Sequence, residues 1–353
     1  MSRELKMAII TPLLKKATLD PSILKNFRPI SNLSYLSKLI ERVVAARLKN
    51  HMTINGLKDP LQSAYSANHS CETAIAKVWS DIILSLDDNR CVLLVLLDLS
   101  SAFDTIDHQT LLSRLNVCFG ISGLALSRFS SYLDGRQQQI AIKGSKSCQR
   151  PLKYGVPQGS VLGPLLFTYY LQPLGAIISA HGVSYHCYAD DTQLYLSTNI
   201  NEIDAAITTL QHCVADVQNW LKDNYLLLNA SKTEVMILAR PSILRQINIK
   251  QLLIGDTTVK LKTQVRNLGA IFDTSLNMST QIDLTCRACY ANIRNLSKAR
   301  RFLNQRALKQ LVTDKKAGLI GSDEFEEKYP KLQDELTELE TTIYNMKLGT
   351  DVK

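Results

Sequence analysis

The longest uninterrupted apolar run in the chain, Cys91 to Leu97, ends on a carboxylate, Asp98. Such a run is too short to span a bilayer and fits a strand buried on both faces. Elsewhere apolar positions recur at helical spacing. Ser34 to Asn50 predicts a helix with Leu36, Leu39, Ile40, Val43, Val44 and Leu48 on one stripe. Cys71 to Leu86 predicts a second, broken by Asp87, Asp88 and Asn89. Residues 108–117 and 122–134 read as helices parted at Gly120, and Pro164 to Ile178 as an apolar helix disturbed by Pro173 and Gly175. Asn201 to Asn224 is amphipathic through Ile203, Ala206, Ile207, Leu210, Val214, Val217, Trp220 and Leu221. Pro29 disfavours helix at Arg28, so F-R-P-I reads as extended. Gln137 to Lys143 suggests a hairpin turning at Lys143–Ser145. HGVSYHCYADDTQLYLS reads as two strands with Ala189–Asp191 at a tight turn, and strand-like runs follow at 234–239, 247–254, 257–261 and 266–272. A basic helix is expected over about 279–312. Helices interleaved with hairpins indicate an α+β fold rather than a doubly wound sheet.

Charge adds a direction to this picture. The chain of 353 residues carries 41 bases and 32 acids, a net +9. Residues 314–353 hold 10 acids against 6 bases, which leaves 35 bases and 22 acids in residues 1–313. A basic body followed by an acidic tail suits a polyanionic partner, nucleic acid or an anionic surface. Within the tail, Leu332, Leu336, Leu339, Ile343 and Met346 mark one apolar seam of a helix, with Asp334, Glu335, Glu338 and Glu340 mostly off it. The eight cysteines are scattered and read as reduced thiols of an intracellular protein, nuclear or cytoplasmic. Cys286 and Cys289 form a lone C-x-x-C, expected to pack on a helix rather than bind zinc. The N-terminus shows no secretory signal and no segment is long enough to cross a membrane. Neither G-x-G-x-x-G nor a P-loop motif occurs, so those modes of nucleotide binding have no support.

The candidate chemistry lies in the acids that end apolar strands. A carboxylate withdrawn from water is unfavourable unless paired or metal-bound. Asp98 ends one strand, and Asp190 and Asp191 sit at a hairpin turn. Two strands delivering carboxylates to one end of a sheet would make an oxygen-rich site suited to Mg2+, and phosphoryl transfer uses two such ions. A solvated turn is the alternative for an isolated Asp-Asp.

The motifs around these acids run in a familiar order. NFRPISNLSYLSKLIERVV (26–44), LQSAYSANHSCETAI (61–75), LLDLSSAFDTIDH (96–108), GVPQGSVLGPLLF (155–167), YADD (188–191), LLLNASKTEVMIL (226–238) and VRNLGAIFD (265–273) are collinear. Together they resemble the reverse transcriptase of animal non-LTR (LINE-type) retrotransposons, over about Ala8 to Leu311, with the chain truncated at both ends. The resemblance implies right-hand polymerase fingers and palm with a small antiparallel palm sheet, the thumb largely missing. It divides the chain into fingers (1–90), palm (91–117), a fingers or connecting insertion (118–153), palm with the primer-grip hairpin (154–273), the start of a thumb (274–313) and an acidic helical tail (314–353).

It further implies that Asp98, Asp190 and Asp191 hold two Mg2+ ions, for which Mn2+ can substitute. Phe103 would face the sugar and exclude a ribose 2′-hydroxyl. Gln158 and Gly159 would contact the nucleotide, Arg28 would neutralise its triphosphate, and Tyr188 would support the primer end. Lys232 would be a proton donor to pyrophosphate or a neutralising charge. Asp104 and Asp107 are not read as ligands; Asp107 is expected to cap the following helix. The implied partners are an RNA template, a DNA primer and deoxynucleoside triphosphates, with no membrane; protein partners are left open. One departure stands out. The family usually has arginine where this chain has Ser66, which would remove a contact to the triphosphate. The expected function is an RNA-directed DNA polymerase domain, intact or impaired; a catalytically silent nucleic-acid-binding remnant is the alternative.

Overall fold

The structure, a computed structural model, describes residues 2–100, 102–255 and 257–299. The expected tail helix in 314–353 and the end of the basic helix lie outside the described residues. The chain divides into two units, Met1–Met278 and Ser279–Lys353. In the second, the helix Ser279–Ala299 carries both Cys286 and Cys289 exposed, so neither packs as expected. No disulfide occurs among the described residues, and no helix there is long and apolar enough to cross a membrane.

The strands of the two larger sheets are β1 (Met7–Leu14), β2 (Phe27–Asn32), β3 (Cys91–Leu97), β4 (Gln137–Ile142), β5 (Ser184–Tyr188), β6 (Asp191–Thr198) and β7 (Glu234–Leu238). Their order in the central sheet is β7-β3-β6-β5, antiparallel throughout. The continuous apolar run of β3 is explained by cover on both faces. Leu93, Val95 and Leu97 enter the main core with the helices α3 (His108–Val117), α4 (Gly123–Leu133), α5 (Gly163–Leu171), α6 (Leu174–Ala180) and α7 (Ile203–Asp223). Val92 and Leu94 face a second core built with Val78, Ile82 and Leu86 of α2 (Cys71–Asp87) and with Val265 and Phe272. Trp79 closes that layer edge-on to Phe272, centroids 5.4 Å apart.

The other sheet was not legible as such. β1 pairs antiparallel with β2 and parallel with β4, Met7 opposite Gln137, with the short strands Ser145–Lys146 and Arg150–Pro151 completing it. The strand-like run at 266–272 proves to be a hairpin, Gln264–Asn267 with Ala270–Asp273. It reverses at Leu268 and Gly269, both at positive φ. Of 247–254, only Gln251–Ile254 is strand, paired with Thr257–Lys260.

The first helix leaves most of its apolar stripe exposed. α1 (Tyr35–Ile54) is capped by Ser34, whose side chain accepts the Ser37 N–H. It buries Ser37, Glu41, Ala45, Leu48 and Met52, while Leu36, Leu39, Ile40 and Val43 of the apolar stripe are exposed. The apolar stripe and the buried face share only Leu48. Glu41 lies on the buried face, where it accepts hydrogen bonds from Val161 and Leu162 across the molecule.

Candidate active site

Strand register brings the acids together. Leu97 of β3 pairs with Thr192 of β6, so Asp98, the next residue, comes level with Asp191 at the start of β6. Tyr188 pairs with Asp191 and closes the β5–β6 hairpin, which leaves Ala189 and Asp190 as its turn. Ala189 has φ 58°, a conformation unfavourable for a residue with a Cβ.

Gln62 holds that turn. Its Oε1 accepts the Ala189 N–H at 3.0 Å, and its Nε2 donates to the Ala189 carbonyl at 3.4 Å. The segment around it lines β5: Cys187 N–H donates to Leu61 O, Ser63 N–H donates to Cys187 O, and Ser63 Oγ lies 2.9 Å from Nε2 of buried His186. Sequence reasoning missed Gln62. The signal was its place in the block LQSAYSANHS, which was read only for Ser66.

The acids repel one another at this end of the sheet, Asp98 and Asp190 half-buried and Asp191 exposed. Burial raises the Asp190 pKa and Asp98 raises it further, while its own backbone N–H, Lys232 and Arg28 oppose the rise. The Asp191 carboxyl is pushed up to about 6 by burial first, then by Asp190 and Asp98. Asp191 is exposed, however, so solvent screens much of this repulsion. Lys232 Nζ lies 3.0 and 3.3 Å from the two oxygens of Asp98. Its loop is set by Asn229, whose N–H donates to the Asp98 carbonyl and whose own carbonyl accepts the Lys232 and Thr233 N–H groups. Tyr65, also unforeseen, has its phenol raised by burial and by the charge of Asp190. Asp98, Asp190, Asp191, Lys232, Arg28 and Tyr65 thus form one electrostatic unit.

The remaining predicted residues are held by other contacts. Phe103 stacks on Phe167 of α5, centroids 4.6 Å apart and planes 25° apart. Gln158 donates from Nε2 to both oxygens of Asp104, at 3.0 and 3.1 Å, while its carbonyl accepts the Ser31 N–H of β2. Gly159, at φ 114°, has no room for a side chain, since a Cβ would lie 2.8 Å from Ser31 O. The close approach this glycine permits here is therefore to the backbone of β2. The neighbouring Cys71 thiol, and then burial, push the Tyr188 phenol up to about 12. Asp107 caps α3 as expected, accepting Thr110 N–H at 2.7 Å. Ser66 turns its hydroxyl to the Gln62 and Ala64 carbonyls and lines a cavity of about 120 Å³ with Lys49, Lys58 and Tyr169.

Among the described residues, no three His, Cys, Asp or Glu side chains are gathered as a ready-made metal cage. Mg2+ is commonly bound by one or two carboxylates, the rest of its shell being water and substrate phosphate. Hard oxygen donors that already repel each other fit that ion in kind.

Comparison with known proteins points the same way. Residues 14–272 match the family described as reverse transcriptase (RNA-dependent DNA polymerase). The probable RNA-directed DNA polymerase from transposon BS of Drosophila melanogaster is 28% identical over 302 residues, 83% of this chain and 32% of its own length. The RNA-directed DNA polymerase from mobile element jockey of the same fly is 26% identical over 225 residues, 62% of this chain and 24% of its own. The Pol polyprotein of the type-1 retrotransposable element R1 from Bradysia coprophila is 24% identical over 281 residues, 77% and 26%. The chain thus spans about a third or less of the length of these relatives. In fold alone, it is similar to the apo telomerase of Candida tropicalis, with a TM-score of 0.51 at 11% identity over 78% of this chain and 48% of that one. The resemblance carried by the collinear motifs is borne out, and this chain belongs to the reverse transcriptase family, among those of non-LTR retrotransposons.

Proposed function

We propose that this chain is an RNA-directed DNA polymerase domain that extends a DNA primer on an RNA template by nucleotidyl transfer. The observation that carries the reading is the convergence of Asp98, Asp190 and Asp191 by strand register, with Lys232 and Arg28 as counter-charges. The central sheet β7-β3-β6-β5 is the palm. Its strands all come from 91–117 and 154–273, whereas β1, β2 and β4 come from 1–90 and 118–153, the fingers and connecting segments. The helix Ser279–Ala299 falls in the segment taken as the start of the thumb.

Asp98, Asp190 and Asp191 would hold the divalent ions, Mg2+ or Mn2+. When bound, these supply an activated attacking oxygen and a neutralised leaving group. The chain's own residues do the rest. Arg28 meets triphosphate charge with a guanidinium, which suits phosphate oxygens. Phe103, braced on Phe167, walls the sugar. Gln158, braced on Asp104, positions the nucleotide, and Tyr188 supports the primer end. Lys232 sits where it can neutralise charge beside Asp98 or pass a proton to the departing pyrophosphate. The excess of bases in residues 1–313 favours the phosphate backbones of template and primer.

The test is primer extension on a homopolymer RNA template with Mg2+ or Mn2+, beside an Asp190→Asn control. Extension by the wild type and none by the variant is expected. Salt-sensitive binding to RNA–DNA hybrid without extension would replace this reading with that of a silent nucleic-acid-binding remnant, which Ser66 favours.

A further inference from the structure

We propose that Glu41 is a positioning residue that fixes the loop 155–163 from α1, and through it Gln158 and Gly159. Its effect on nucleotide handling rests on the polymerase reading above; its effect on the loop does not. Glu41 is 1% exposed, an unusual place for an acid on a helix with exposed leucines beside it. Its neighbours are donors. Oε2 accepts the Val161 N–H at 2.8 Å and the Leu162 N–H at 3.0 Å, and Oε1 accepts the Ser37 hydroxyl at 3.3 Å. Tyr132 Oη is 3.5 Å from Oε2. A carboxylate, which only accepts, is the side chain such a ring of donors calls for.

The two amides lie immediately before α5, whose N-cap residue, Leu162, has no capping side chain. Free N–H groups at a helix start need partners, and here the partner arrives from a residue 120 positions earlier. The constraint then passes along the loop. Ser160 Oγ accepts the Gly163 N–H at 3.0 Å and donates to Pro157 O at 2.8 Å, which fixes the turn that contains Gln158 and Gly159. Ser31 and Asp104 hold Gln158 from β2 and from the segment after β3. Glu41 supplies the third side.

A second buried charge also meets Tyr132. Arg136 is 1% exposed, with its guanidinium 4.1 Å over the Tyr132 ring, its Nε donating to Tyr132 O, and both terminal nitrogens without a protein partner. The Tyr132 phenol is raised chiefly by burial, drawn down by Arg136 and pushed up by Glu41, so both charges bear on it.

The experiment compares Glu41→Ala and Glu41→Gln with the wild type by amide hydrogen exchange over 155–165 and by nucleotide KM and kcat in primer extension. Glu41→Ala is expected to speed exchange at Val161 and Leu162, leave 184–198 unchanged, and raise nucleotide KM roughly tenfold with a smaller change in kcat. Glu41→Gln keeps one acceptor oxygen and should fall between. A folded Glu41→Ala whose loop exchange and KM equal the wild type overturns the proposal. If Glu41→Ala does not fold, Glu41→Gln decides: exchange over 155–165 no faster than wild type is equally fatal. A wild type that extends no primer would sink the polymerase reading, while loop exchange would still decide the role of Glu41.

Discussion

Glu41 is buried and Asp190 is half-buried, yet the two acids are neutralised in opposite ways. Glu41 meets backbone N–H groups and a hydroxyl, so its demand for partners is met inside the protein. Asp190 and Asp191 meet each other and Asp98; Lys232 opposes both, and at Asp190 its own backbone N–H and then Arg28 oppose it too. The first arrangement holds a fold together. The second is unfavourable as it stands and would be relieved by a bound cation. An acid's role is read from the groups that answer its charge, more than from its burial.

The largest effect should come from removing a member of the second group. Asp190→Asn is expected to reduce primer extension at least about a hundredfold, since metal-linked charge stabilisation is worth several kcal/mol, while leaving thermal stability equal or higher. Loss of stability in that variant would erase the contrast with Glu41. Adding positive charge on the under-neutralised side is the next test. Ser66→Arg should lower nucleotide KM by roughly ten- to a hundredfold, the worth of a charge-assisted hydrogen bond; unchanged kinetics would mean that position 66 does not face the triphosphate.

On the other side of the comparison, Glu41→Ala should lower unfolding free energy by about 1–3 kcal/mol in urea titrations, the cost of buried donors left without acceptors. The smallest effect is in pH and metal dependence. In the folded chain the Asp191 carboxyl is pushed up to about 6, against about 3.9 for an unfolded aspartate. Between those values the folded state binds more protons, so metal-free stability falls as pH rises through that window. Asp191→Asn should flatten the fall. Mg2+ at tenfold its Kd should raise the wild-type Tm by roughly 2–4 °C at pH 7 and by less at pH 5, where Asp191 is protonated. Chelation should reverse it.

Two helices show how much of this was legible in the sequence. The stripe read for α7 is the face it buries, with Ile203, Ala206, Ile207, Leu210, Val214, Val217 and Leu221 all inside. α1 gave an equally clear helix whose stripe is not its buried face, because periodicity finds the stripe and says nothing of an acid that lies inward. β3 and the β5–β6 hairpin were legible, since an unbroken apolar run and an Asp-Asp between two strand patterns are local signals. The pairing of β1 with β4 was not, because Met7 and Gln137 share no local sequence cue. Within the site, Asp98, Asp190, Asp191 and Lys232 came from motif order. Gln62 and Glu41 act on backbone groups far along the chain, and nothing in their immediate sequence announces those partners.

The place of β3 in its sheet has a consequence for synthesis. Its hydrogen-bonding partners on the two edges begin at Asp191 and Glu234, so the most apolar stretch of the chain leaves the ribosome long before either. At ordinary elongation rates it waits roughly 5–20 s for the first. During that interval CVLLVLL has the character of an aggregation-prone segment. Nascent chains stalled before Thr198 should be strong clients for holdase chaperones, and release of that dependence should come with the completion of β6.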